Sequence, residues 1–207
     1  MRNQIRNLCN IIWNYNRKKY IKRHFNSLNN SDFTLISCNC TGGVLYHDLG
    51  MQFLSPTINM YLNCEDFIKL CENLEYYLSL EMEEYNGNIK RDYPLAALGD
   101  ITLYLVHYKT IEEASEKWKQ RKERINWDNI YVIGTDRDGY NEDLSERFDK
   151  LPYKKVLFTH CPDDNPNHFY IRGYENEPQV GTIVEKSDLL SGKRVLDQFD
   201  WINFLNK

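Results

Sequence analysis

The stretch Ile130-Tyr131-Val132-Ile133-Gly134-Thr135-Asp136-Arg137-Asp138-Gly139 decides the fold that we predict for this chain. A short apolar run rich in β-branched and aromatic side chains, bounded by a charged turn, is typical of a buried strand. Helical patterns flank it. The capping box Thr110-Ile111-Glu112-Glu113 starts a helix before it, and residues 141–150 form the predicted helix after it. A strand between two helices needs crossover connections, so the sheet should be parallel.

Other segments extend this pattern in both directions. Residues 33–37, 101–107 and 155–159 have the length and composition of strands, and a short strand is expected at 181–184. A helix follows Asn63, which is a good N-cap residue. We therefore predict an α/β fold, a three-layer α/β/α sandwich with a mixed, largely parallel sheet.

The composition excludes several classes of protein. The chain has 207 residues, of which 42% are hydrophobic and 14% aromatic, so it can bury a core and is not disordered. It lacks an apolar run near the roughly 20 residues of a membrane-spanning helix, and we expect no secretory signal. Six cysteines fit neither a zinc pattern nor a disulfide framework, which favours a reducing, cytoplasmic location.

Residues 1–30 are predicted to form a basic amphipathic helical arm, separate from a single α/β domain at 31–207. The arm has no acidic residue before Asp32, and its basic residues are Arg2, Arg6, Arg17, Lys18, Lys19, Lys22 and Arg23. Because the rest of the chain is acidic, we expect no nucleic-acid partner. The arm is either an interfacial helix on an anionic membrane surface or an ordinary amphipathic helix packed on the body.

Polar residues follow each predicted strand. Ligands of open α/β sheets bind beyond the carboxyl ends of the strands, so residues there are the first functional candidates. The candidates are Asn39, Cys40, Gly42 and Gly43 after the first strand, His107 after the second, Asp136, Arg137 and Asp138 after the third, and His160 after the fourth. Parallel strands would bring these groups together.

Two interpretations of the first loop stay open. Gly42 and Gly43 would let the backbone approach an anion closely, and Cys40 would be a nucleophile at a helix start, with His107 or His160 as its base. Alternatively, Cys40 is a small apolar residue and the glycines make a tight turn.

The third loop also has two interpretations. Asp136 and Asp138 would hold Mg or Mn against the diphosphate of an activated sugar, or they form a plain turn in which Arg137 pairs with a carboxylate. Trp127 would stack on a sugar ring, although aromatic residues are more often part of the core.

Several motifs together resemble a known bacterial family. They are Ile36-Ser37-Cys38-Asn39-Cys40-Thr41-Gly42-Gly43, Tyr46-His47-Asp48-Leu49-Gly50, Ser55-Pro56-Thr57, Tyr93-Pro94, Leu98-Gly99-Asp100-Ile101, His107-Tyr108, and Arg124 to Asn129 continuing through Thr135 to Gly139. The chain thus resembles domain of unknown function nineteen-nineteen over about residues 33 to 160. The resemblance implies a three-layer α/β fold and a link to exopolysaccharide and capsule assembly. Asp100, within one of these motifs, is a further candidate substrate-binding residue.

The first functional hypothesis is a surface-polysaccharide transferase, peripheral to the inner face of the cell membrane. It would take a sugar donor and a glycan acceptor, with Asp136 and Asp138 holding the donor's metal and His107 as base. The alternatives are an acyltransferase or hydrolase that uses Cys40, and a noncatalytic glycan-binding accessory protein.

Overall fold

The computed structural model describes residues 2–207 and confirms an α/β fold. Met1, which the predicted arm includes, lies outside the described residues. The helices are α1 (Arg2–His24), α2 (Thr41–Leu49), α3 (Cys64–Glu72), α4 (Leu74–Ser79), α5 (Ile111–Lys122), α6 (Glu142–Lys150) and α7 (Trp201–Leu205), and the strands are β1 (Thr34–Ser37), β2 (Glu83–Glu84), β3 (Leu95–Leu98), β4 (Ile101–Tyr104), β5 (Ile130–Thr135), β6 (Lys154–Thr159) and β7 (His168–Tyr170).

The chain divides into two compact units whose limits differ from the predicted boundary between residues 30 and 31. One, called the helical unit below, joins residues 2–31 with 44–52 and 182–207. The other, called the sheet unit, contains residues 32–43 and 53–181. The segments of the helical unit are far apart in sequence and meet only through tertiary contacts, which a local composition change does not reveal.

A parallel sheet in the order β1-β5-β6-β7 forms the centre of the sheet unit. The stretch that begins at Ile130 is an interior strand, since β5 pairs in parallel with both β1 and β6. All residues of β5 are buried. The capping predictions are confirmed at Asn63 and Thr110, whose side chains accept hydrogen bonds from backbone N–H groups of the first turn, and Asn141 caps its helix in the same way.

The predicted strand at 101–107 does not join the parallel sheet. Residues Ile101–Tyr104 instead pair antiparallel with Leu95–Leu98 in a second sheet of order β2-β3-β4. The reason is the Gly99-Asp100 turn: Gly99 has a φ of +62°, and Leu98 and Ile101 face each other across it as a tight hairpin. The predicted strand at 181–184 is also not a strand in the structure.

Backbone hydrogen bonds of residues 61 and 62 link the end of β4 to the end of β1. Tyr61 and Tyr104 exchange two backbone hydrogen bonds of 2.9 Å, and the N–H of Leu62 donates to the carbonyl of Cys38 at 2.9 Å. The antiparallel hairpin is therefore fixed beside the carboxyl edge of the parallel sheet, where the candidate site lies.

In the helical unit, α1 is anchored by two buried side chains, Trp13 and Arg17. The guanidinium of Arg17 donates to Asp48 and Asp197, which come from the other two segments of the unit. Gly192 lies so close to α1 that a Cβ there would be 2.4 Å from the backbone nitrogen of Arg17. The first helix is thus part of a folded unit rather than a free arm.

None of the helices in residues 2–207 combines the length and the apolar composition that crossing a membrane requires.

Candidate functional site

The turn from β1 into α2 holds Cys40 in place. Ser37 closes the strand: its Oγ accepts the N–H of Gly42 at 3.1 Å and donates to the carbonyl of Asn39 at 2.8 Å. The side-chain oxygen of Asn39 accepts from the N–H and the hydroxyl of Thr41, at 3.0 and 2.6 Å. Asn39 was predicted to bind substrate. Its side-chain oxygen instead caps the first residue of α2.

Gly42 and Gly43 lie inside α2 rather than in an open loop. A Cβ on Gly42 would be 2.8 Å from Ser37 Oγ, and one on Gly43 would be 3.3 Å from Ile58 Cγ2. The absence of side chains lets the first turn of α2 approach the end of β1 closely. Because the N–H of Gly42 already donates to Ser37, it is not available to cradle an anion.

Cys40 and His107 form a direct contact. The distance from Cys40 Sγ to His107 Nε2 is 3.2 Å, with the thiol partly buried and the imidazole exposed. His107 reaches this position through the β3–β4 hairpin, and the neighbouring Tyr108 fixes the chain because its hydroxyl donates to the carbonyl of Ile58 at 2.9 Å. The predicted pairing of these two residues is thus present, although β4 is not a parallel strand.

The surroundings of Cys40 favour the neutral form of its thiol. Burial raises the pKa of the Cys40 thiol above its ordinary value of 9.0. At neutral pH the thiol therefore keeps its proton, and Sγ lies within hydrogen-bonding distance of Nε2 of His107. Thiolate would then form when the imidazole accepts the proton, which is general-base activation rather than a preformed ion pair.

Asp136 and His160 form a second pair, at the ends of β5 and β6. Asp136 is buried; one carboxylate oxygen accepts from the backbone N–H and the Nδ1 of His160, at 2.7 and 2.5 Å, and the other accepts from the N–H of Val180 at 2.7 Å. Because Nδ1 faces the carboxylate, Nε2 is the ring nitrogen of His160 that points away from Asp136.

Asp138 points to different partners from Asp136. It hydrogen-bonds to the hydroxyl of Tyr61, and its Oδ2 lies 3.6 Å from Arg137 Nε. Burial and this carboxylate raise the pKa of Tyr61. To share one ion, the two carboxylates would have to give up these contacts. Among residues 2–207, no group of three or more His, Cys, Asp or Glu side chains is placed to hold a metal. Binding of Mg or Mn at Asp136 and Asp138 stays a prediction.

Two predicted substrate-binding residues lie away from these pairs. Asp100 is in the β3–β4 turn, where it accepts from Tyr77 Oη at 2.7 Å and from Lys69 Nζ at 3.1 Å. Trp127 precedes β5 and is therefore at the amino edge of the parallel sheet, opposite to Asp136. It is 47% exposed, so it is not a core residue, and it lines an open groove with Tyr76 and Tyr153.

Comparison with known proteins assigns the chain to a family. The sequence profile described as Domain of unknown function (DUF1919) matches residues 11–206. The chain belongs to the DUF1919 family. A Haemophilus influenzae protein (strain ATCC 51907 / DSM 11121 / KW20 / Rd), described only as an uncharacterized protein, is 39% identical to it over 181 residues, which is 86% of each chain.

The DUF1919 match confirms the resemblance that the motifs at the ends of β1, β4 and β5 indicated, and it extends well beyond residues 33 to 160. Sequence reasoning missed three residues that build the site: Ser37, Tyr61 and Val180. Ser37 was visible as the polar end of an apolar strand. The contacts of Tyr61 with Asp138 and of Val180 with Asp136 join distant segments, and no local pattern signals them.

Proposed function

We propose that this protein is a cysteine-dependent acyl-transfer enzyme, an acyltransferase or hydrolase, that modifies a glycan. The observation that carries the proposal is the 3.2 Å contact between Cys40 Sγ and His107 Nε2 at the start of α2. A thiol hydrogen-bonded to an imidazole at a helix start is the arrangement that nucleophilic acyl transfer requires.

The chemistry uses His107 twice. Cys40 Sγ attacks the carbonyl carbon of an ester or thioester donor while His107 Nε2 takes the thiol proton. The tetrahedral intermediate then collapses, the bond from carbon to the leaving oxygen or sulfur breaks, and His107 returns the proton to that atom. A sugar hydroxyl or water next attacks the acyl-cysteine, its proton passes to His107, and Cys40 leaves and is reprotonated.

The acceptor and the location follow from the expected role of the family in surface-polysaccharide assembly. A glycan hydroxyl would be the acceptor, and the enzyme would work in the cytoplasm at the inner face of the membrane. The six cysteines are all free thiols, which supports a reducing compartment. The transferase that would use a sugar donor and a metal at Asp136 and Asp138 stays a prediction; its test is loss of surface glycan at an unchanged Tm in Asp138→Asn, which changes the exposed carboxylate of the two.

Trapping the acyl-enzyme tests the proposal. We expect a burst of product from a p-nitrophenyl ester, with the acyl group found on Cys40 by peptide mass spectrometry. Cys40→Ser and His107→Gln should lower the burst by about a hundredfold or more, as loss of a nucleophile or a general base does. The matched control is Cys161→Ser, since Cys161 is an exposed cysteine, and it should behave as wild type.

Alkylation by iodoacetamide separates a catalytic pair from a merely exposed thiol. Burial raises the pKa of Cys40, so without its base the thiol should react slowly at neutral pH and faster as the pH rises past 9.0. We therefore expect His107→Gln to slow labelling of Cys40 and leave Cys161 unchanged. Equal labelling of Cys40 in both proteins, or an acyl group that does not appear on Cys40, would leave a noncatalytic accessory protein as the better interpretation.

A further inference from the structure

The outward face of α1 is apolar in its first half and basic in its second half. Five apolar side chains at helical spacing are exposed, by 37 to 65%: Ile5, Leu8, Ile11, Ile12 and Tyr15. Residues at i, i+3, i+4 and i+7 share one side of a helix, so they form a single stripe. Trp13 and Arg17 anchor the opposite side within the helical unit, which leaves the stripe facing solvent.

A loop of the helical unit extends this apolar surface. Leu189 and Leu190 are 37% and 78% exposed, and Asn16 Nδ2 donates to the carbonyl of Leu189 at 3.2 Å, which fixes the loop against α1. Gly192 ends the loop with a φ of +70° and packs on the backbone of Arg17. The exposed leucines are therefore held in position beside the stripe.

A basic groove lies between α1 and this loop. It has a volume of about 380 Å³ and is lined by Lys19, Arg23, His24 and Lys193, together with Asn16, Tyr20, Leu190 and Ser191. α1 carries no acidic residue that could neutralise these cations. An amphipathic helix with exposed large apolar residues and a basic flank is typical of proteins that lie in the interface of an anionic bilayer.

We infer that this surface docks on an anionic phospholipid bilayer, with the apolar stripe and Leu190 in the interface and a lipid phosphate in the basic groove. The inference rests on the membrane location in the proposed function and adds a headgroup site to it. The charge of the groove selects the bilayer as the occupant: a second copy of the same face would bring like charges together.

Flotation with vesicles of phosphatidylcholine alone, or with added phosphatidylglycerol, tests this surface. We expect the full chain to float only with the anionic vesicles and to dissociate at high salt. Ile11→Gln and Leu190→Gln should weaken binding without lowering Tm, because both side chains are exposed. Cys40→Ser should float as wild type, which separates docking from the acyl-transfer proposal.

Two charge-matched double variants isolate the headgroup site. Lys19→Gln/Arg23→Gln removes two cations of the groove, whereas Lys18→Gln/Lys22→Gln removes two exposed cations of the same helix outside it. We expect the groove variant to weaken binding about tenfold more than the other variant. A phosphate bound in the groove would lose direct hydrogen-bond partners as well as the general electrostatic attraction to the helix. Equal losses would overturn the headgroup site. No flotation at low salt, or a dimer in sedimentation that buries the stripe, would overturn the docking surface itself.

Discussion

Cys38 and Cys64 are two buried thiols near the site, and they make the stability of the fold decrease at alkaline pH. Burial raises the pKa of Cys38 to about 11 and that of Cys64 to about 12, from an ordinary value of 9.0. Both groups are neutral in the folded chain. Their contribution to the free energy of unfolding is therefore complete below pH 9.0, and it is lost as the pH rises toward the pKa values of the folded state.

We expect urea unfolding to show a falling free energy of unfolding between pH 9.0 and about 11. Cys38→Ala should reduce this alkaline loss by up to about 3 kcal/mol, the equivalent of two pKa units. The control is the exposed Cys161, whose replacement by alanine should leave the slope unchanged. A slope that is the same in the Cys38 variant and in wild type would contradict the assignment.

Single residues of the site were predictable where their chemistry follows directly from position in the chain. Cys40 and His107 each come shortly after a strand, and that placement suffices to nominate them. The role of Asn39 was not predictable, because a carboxamide beside two glycines fits a ligand site and a helix start equally well. Asp136 differs again: its buried carboxylate accepts a hydrogen bond from the N–H of Val180, a residue that only the folded chain brings to it.

Gly42 lies where the first turn of α2 packs closely on the end of β1. Alanine is the better helix former by about 1 kcal/mol, so helix propensity alone predicts that Gly42→Ala stabilises the protein. The added Cβ would lie 2.8 Å from Ser37 Oγ, a short side chain already fixed by two hydrogen bonds. We expect packing to dominate and Gly42→Ala to lower the free energy of unfolding by about 1–3 kcal/mol.

The same substitution should lower the acyl-enzyme burst, since α2 carries Cys40 at its start. Gly43→Ala is the matched control: its Cβ would lie 3.3 Å from Ile58 Cγ2, a milder contact that a shift of a few tenths of an ångström relieves. We expect it to be near neutral in thermal unfolding. A Gly42→Ala protein more stable than wild type would show that α2 is not tightly packed there.

Elements were predictable where a local pattern fixes both ends. The starts of three helices were predictable from the residues there, Asn63, Thr110 and Asn141. The strand β5 was predictable from its apolar run and the charged turn after it. The pairing partner of β4 was not predictable from alternation of strands and helices. The two-residue Gly99-Asp100 turn makes an antiparallel partner closer in the chain, so local hairpin closure prevails over a crossover.

For the whole molecule, the division into two units changes what the first helix does for stability. Composition indicates that residues 1–30 are a separate basic segment. Charge composition alone does not predict which carboxylates a buried cation of that segment binds. Arg17 is the link: its guanidinium binds Asp48 and Asp197, whose side chains are only 5% and 1% exposed. Such tertiary ion pairs connect three segments of the chain and leave no periodic signature in any of them.

Deletion of residues 1–25 should therefore disrupt the helical unit. Without Arg17, the buried carboxylates of Asp48 and Asp197 lose the cation that they share and keep their contacts with Arg194, which costs about 3 kcal/mol, the low end for breaking a buried ion pair. The loop that ends at Gly192 also loses the helix on which it packs. We expect trypsin to cut the shortened chain at Lys186, Lys193 and Arg194 while these sites stay protected in the full chain. Arg17→Met should reproduce part of this exposure, and Lys18→Met, the neighbouring exposed cation, should not. If residues 182–207 resist trypsin equally well after the deletion, the first helix is a separable arm and its contacts contribute little to the fold.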